Sequence, residues 1–135
     1  MESPNGKSEG IYIMSIMSTR SMIGVVDNAG QVHAVYCHFD GYPEGVGRTL
    51  VEYWNSKTRA MKLIVGGGNM RSLGTSLDEC DFFPNDLFQL FDSIDRFLSI
   101  MSDSDCEYLY LFADDQWTVL SNVHEVAPLK EVVQP

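Results

Sequence analysis

A chain of 135 residues and 15.2 kDa is long enough for one ordinary domain and too short for two, so a single core is expected. Apolar residues at 44% and charged residues at 21% exclude a disordered, collagen-like or low-complexity chain. A net charge of −10 opposes general binding to nucleic-acid backbones or anionic lipid surfaces.

The first nine residues, MESPNGKSE, are polar and rich in turn formers, and are expected to be disordered, leaving 10–135 as a single α+β domain. The following IYIMSIM is short and broken by Ser15, which fits neither an export signal nor a membrane span of roughly 20 residues. A cytoplasmic protein of a host cell is expected, with Met17 as an alternative start to Met1. From Thr19, TRSMIGVVD and VHAVYCHFD flank the turn formers Asn28 and Gly30 and predict a β-hairpin. Alternation puts Val32, Ala34, Tyr36 and His38 on one face of its second strand, and His33, Val35, Cys37 and Phe39 on the other.

After a loop with three glycines, Val46, Leu50, Tyr53 and Trp54 recur at helical spacing, and RAMKLIVGGG predicts a second short helix stopped by glycines. Leu87, Leu90, Phe91, Ile94, Phe97, Leu98 and Met101 then give the clearest helical stripe, with Asn85 or Asp86 as its cap. CEYLYLFA and WTVLSN around Asp114 and Asp115 predict a second hairpin, and APLKEVVQP can add a helical turn. The order ββ-ααα-ββ implies an antiparallel sheet of about four strands with helices on one face.

Charge is unevenly spread. Met1 to Leu77 carries seven basic and six acidic residues, whereas Asp78 to Asp115 carries eleven acidic residues against Arg96 alone. This stretch, with Asp92, Asp95, Asp103 and Asp105, is either a solvated face or an acidic surface that occupies a partner's basic groove. Cys37, Cys80 and Cys106 are odd in number and lack a C-x-x-C pair, which suits a reducing setting and gives no disulfide framework. Zinc on His33, Cys37 and His38 is disfavoured, because adjacent strand residues point to opposite faces; no metal or cofactor is expected.

The densest set of chemistry-bearing side chains is His38, Asp40, Tyr42, Glu44 and Arg48, on the loop between the second strand and the first helix. Gly41, Gly45 and Gly47 permit close backbone approach, and a helix start presents free N–H groups, so a phosphate or carboxylate is a natural ligand. Arg48, and Arg20 from the first strand, would add charge-assisted contacts. A P-loop is not present: five residues separate Gly41 from Gly47, and Arg48-Thr49 replaces Lys-Ser/Thr. Asp40 and Glu44 with His38 form the only acid–base set suggesting a small hydrolase, without any nucleophile signature; Tyr12, Tyr36, Phe39, Tyr53 and Trp54 are candidates to stack on a base.

The string from Thr19 to Trp54, with its core YCHFDGYPEGVG, continuing to LIVGGGNMRSLG, resembles a family of small proteins encoded by phages and phage-like genomic regions. The likeness covers residues 18–74, and Phe39 stands where the family motif has Trp. It implies a phage or prophage context and supplies no catalytic residue. The expectation is a non-enzymatic accessory protein that interferes with host machinery, possibly a defence pathway. In one version it holds a small anionic, nucleotide-like ligand on Arg20, His38, Asp40, Tyr42, Glu44, Gly45, Gly47 and Arg48. In the other, the acidic segment inhibits a host protein by nucleic-acid mimicry. No direct nucleic-acid or membrane partner is expected, and strand edges leave room for a homodimer.

Overall fold

The computed structural model describes residues 18–122 and 125–133. The expected disorder of residues 1–9, the IYIMSIM segment and Tyr12 lie outside these. Strands β1 (Ser21–Val26) and β2 (Val32–Cys37) pair antiparallel along their full length, from Ser21 opposite Cys37 to Val26 opposite Val32. Asp27 fixes the turn: its Oδ1 accepts the amides of Ala29 and Gln31 at 2.9 and 3.0 Å, while Gly30 takes a φ of 84° that a side chain would resist. The alternation read from the sequence holds, since Val35 and Cys37 join one apolar cluster and Val32, Ala34 and Tyr36 the other.

A π-helical turn over Pro43–Gly47 leads into α1 (Arg48–Tyr53), and α2 (Lys57–Gly66) follows, capped by Ser56, whose hydroxyl accepts the Arg59 amide at 3.1 Å. Strands β3 (Met70–Ser72), β4 (Asp81–Phe82) and β5 (Gln89–Phe91) are two or three residues long. Next come α3 (Ile94–Ser99) with a 3-10 turn at Ile100–Ser102, then β6 (Tyr108–Ala113) and β7 (Gln116–Ser121). The second hairpin turns on Asp114 and Asp115, both at positive φ, the geometry of a two-residue turn matched to strand twist. The tail adds β8 (Ala127–Pro128) and one helical turn, α4 (Leu129–Val132).

The class is α+β, but the sheet differs from the expected one. It has eight strands in the order β4-β3-β2-β1-β6-β7-β8, with β5 also on β2, and it is mixed: β1 runs parallel to β6 and β2 parallel to β3. The four extra strands are too short to carry an alternating signal; β3 and β5 satisfy amides and carbonyls on the outer edge of β2, β4 pairs with β3, and β8 covers the far edge on β7. Helices also cover both faces rather than one. Leu50 of α1, Ala60, Leu63 and Ile64 of α2 and Leu129 of α4 pack with Ile23, Val25 and Tyr110, while α3 inserts Phe97 between Met22, Val32, Ala34 and Leu109 on the opposite face.

The long helical stripe from Leu87 to Met101 is split. Ser93 is extended, at φ −156° and ψ 167°, and its hydroxyl accepts the Arg96 amide, so the helix starts only at Ile94. Residues 89–91 instead pair with Ala34, His33 and Val32, leaving Leu87 and Leu90 exposed at 69% and 49%. Backbone pairing with β2 wins over side-chain periodicity.

Candidate functional site

The glycine loop is closed upon itself. Asp40, at a φ of 58°, accepts the Val46 amide on its carbonyl at 2.8 Å, and its carboxylate accepts the Tyr42 hydroxyl at 3.3 Å. Gly41 donates to the Thr19 carbonyl at 2.9 Å, and its own carbonyl accepts the buried Tyr110 hydroxyl at 2.7 Å. A Cβ at Gly45 would stand 2.5 Å from the Asp40 carbonyl oxygen, so glycine serves tight packing of the loop rather than approach to a ligand. Gly47 faces Leu129 and Tyr110 in the core.

The charged residues are tied to separate partners. Arg48 places Nη2 2.5 Å and Nε 3.2 Å from Glu44 Oε1, with Nη1 3.7 Å from Glu52. His38 Nδ1 lies 2.7 Å from the Tyr36 hydroxyl, and its ring sits edge-on to Phe39. His38, Asp40 and Glu44 are therefore partnered with Tyr36, Tyr42 and Arg48 respectively, with no shared reacting centre, and Arg48 is spanned by two carboxylates of its own helix region. Among the described residues no group of three or more His, Cys, Asp or Glu is placed to hold a metal ion. The Cys37 thiol, fully buried beside this loop, is pushed up to about 12 by burial and stays protonated at neutral pH.

Arg20 is the exception. Lying just before β1 and away from the loop residues, it lines a hollow of about 460 Å3 on the α3 side of the sheet. The β1–β2 register sets Met22 against Tyr36, both lining this hollow; Phe91 of β5 and Ile100 after α3 form further walls, and Cys106 comes from the segment entering β6. Phe91 is held edge-on by Phe97 at 5.5 Å. The Arg20 carbonyl accepts the Glu107 amide at 2.9 Å, fixing its backbone, while its guanidinium meets Asp105 only loosely, at 3.5 Å. Asp105 is 87% exposed, so the pair is weak and replaceable. The Nε of Arg20 is buried with no hydrogen-bond partner. Burial raises the pKa of the Tyr36 phenol, against an opposing pull from Arg20, and burial likewise raises that of the Cys106 thiol. The result is a hollow lined by aromatic and aliphatic side chains together with Gln89, Ser104, Asp105 and the Arg20 cation, a mixture of apolar surface and a few polar groups typical of small-molecule sites.

Sequence reading named Arg20 and Tyr36 separately but did not join them. The signal was there: in the predicted hairpin, Arg20, Met22, Tyr36 and His38 fall on one face. Gln89, Phe91 and Ile100 were out of reach, having been assigned to a continuous helix. All eleven acidic residues from Asp78 to Asp115 are exposed. Asp92 and Asp103 line a hollow of about 290 Å3 with Arg96, next to the Arg20 hollow; Asp114 and Asp115 line another with Asp27 on the far side of Ile94; Asp95 is exposed on α3.

Among the described residues no helix is long and apolar enough to cross a membrane. No family model matches the chain, and comparison with curated proteins and with solved structures finds no match.

Proposed function

We propose that this is a non-enzymatic binding protein of phage or prophage origin that sequesters a small anionic, nucleotide-like molecule in the hollow beneath Arg20, and so interferes with host machinery. The observation that carries the reading is the Arg20 guanidinium in the lining of a mostly apolar hollow, paired there only with the exposed Asp105 at 3.5 Å. Met22, Tyr36 and Phe91 supply surface for a flat ring. One guanidinium partly offset by Asp105 suits a single negative charge, such as a phosphodiester or carboxylate. Sequestration requires affinity and no turnover, in keeping with acid–base candidates that each bond elsewhere. The phage context rests on the YCHFDGYPEGVG resemblance.

The test is thermal unfolding with a panel of cyclic and linear nucleotides at millimolar concentration. A stabilising member is expected, its shift abolished by Arg20→Ala and retained by Arg48→Ala; binding at 100 times Kd is worth about 2.7 kcal/mol. Loss of the shift in Arg48→Ala with retention in Arg20→Ala would return the site to the glycine loop. A second reading, the acidic segment as a mimic of nucleic-acid charge, is favoured by Asp92, Asp95 and Asp103 lying exposed on and around α3. It predicts host-protein binding that weakens steeply with salt and with neutralisation of Asp92, Asp95, Asp103 and Asp105.

A further inference from the structure

On the other face of the sheet, α2 reads KTRAMKLIVG: three cations and no acid, in a protein with nineteen acidic residues. Lys57 and Arg59 occupy the first turn, where the helix dipole disfavours positive charge, and no acid occupies that turn to offset them. Helix stability therefore does not explain their placement. Lys57 donates to Asn28 Oδ1 at 2.6 Å, whereas Arg59 and Lys62 have no carboxylate within ion-pair distance among the described residues. Separated by three positions, they are neighbours on one helix face.

Both line a hollow of about 390 Å3 closed by Tyr53, Trp54 and the segment from Thr75 to Asp78. Its floor is rigid. Trp54 is 5% exposed, its indole N–H donates to the Gly74 carbonyl at 3.0 Å, and its own carbonyl accepts the Trp117 indole N–H at 3.1 Å. Tyr53 at the rim is 45% exposed. Asp78 is the one acid lining the hollow, so two cations outweigh it.

We propose that this hollow is a second ligand site, independent of the Arg20 hollow, which takes a phosphate monoester carried on a flat ring. Arg59 and Lys62 share the dianion, with the planar guanidinium offering paired donors and the ammonium a point charge, and Tyr53 and Trp54 cover the ring.

Phenyl phosphate is the probe, titrated into the isotopically labelled full chain in a phosphate-free buffer. The expected result is perturbation of backbone amides in 53–62 and 74–78, at least tenfold tighter binding than inorganic phosphate on the order-of-magnitude scale, and at least a roughly tenfold loss in Arg59→Gln/Lys62→Gln. Because the dipole opposes Arg59 in the first turn and Lys62 makes no ion pair among the described residues, the double variant should unfold at an unchanged or slightly higher temperature, separating lost binding from lost folding. Arg20→Ala should leave this binding intact. Absence of perturbation, equal affinity for inorganic phosphate, or undiminished binding in the double variant overturns the proposal.

Discussion

Phe97→Ala should destabilise the protein by about 3–5 kcal/mol, the range for emptying a buried aromatic site, and lower Tm by roughly 10–20 °C. Phe97 is the sole buried residue of α3, and its ring fills the space over Gly24, where even a Cβ would lie 3.1 Å from Cζ. It also holds Phe91, a wall of the Arg20 hollow. No other side chain of α3 can take over, since Ile94 and Leu98 are only partly buried. Urea unfolding of the variant checks the magnitude; a loss below about 1 kcal/mol would mean that α3 is not anchored as described. Ligand binding at Arg20 should fall with it, while phenyl phosphate binding at Arg59 and Lys62 should persist at temperatures where the variant is folded.

Asn69→Ala carries the second large effect, roughly 2–3 kcal/mol, through hydrogen bonding rather than packing. Asn69 joins three segments. Its Oδ1 accepts the Tyr36 amide at 2.7 Å, where β2 passes from pairing with β5 to pairing with β3, and its Nδ2 donates to Asp86 Oδ1 and the Leu87 carbonyl at 3.0 and 3.1 Å. The backbone of Asn69 adds bonds to the Asp86 carbonyl and the Phe83 amide. Alanine keeps these last two but orphans the Tyr36 amide, beside the residue that lines the Arg20 hollow. Amide hydrogen exchange should show Tyr36 and residues 86–91 losing protection together; unchanged protection would contradict the clamp.

Asn69 also shows where sequence reading stops. A polar residue after a glycine run reads as loop, and its role depends on a gap in a ladder formed by strands too short to recognise. The two hairpins were legible because Asp27, Gly30, Asp114 and Asp115 make local turns whose chemistry is contained within a few residues. The capped α2 was legible for the same reason. The residues 87–92 were misread because their apolar spacing fits a helix, and the competing interaction, pairing with Val32, His33 and Ala34, is distant in sequence. At the site, the chemistry of His38, Asp40, Glu44 and Arg48 was visible but their separate partners were not, His38 with Tyr36, Asp40 with Tyr42 and Glu44 with Arg48, since glycine spacing describes an open phosphate cradle and a tightly packed loop equally well. Arg20 reads from the sequence as a contact at the rim of the glycine loop, whereas it lines a separate hollow on the α3 side of the sheet. Only the three-dimensional placement of β5 and Ile100 gives it a hollow to guard.

The claim at the centre of this account is that the space beneath Arg20 is occupied in the cell by one small anion. Native mass spectrometry of the protein isolated from cells that produce it tests it directly. The account predicts the mass of the chain plus one small molecule, released on denaturation and missing from Arg20→Ala purified the same way. The bare polypeptide mass for the unmodified protein, or an adduct that survives Arg20→Ala unchanged, would contradict it.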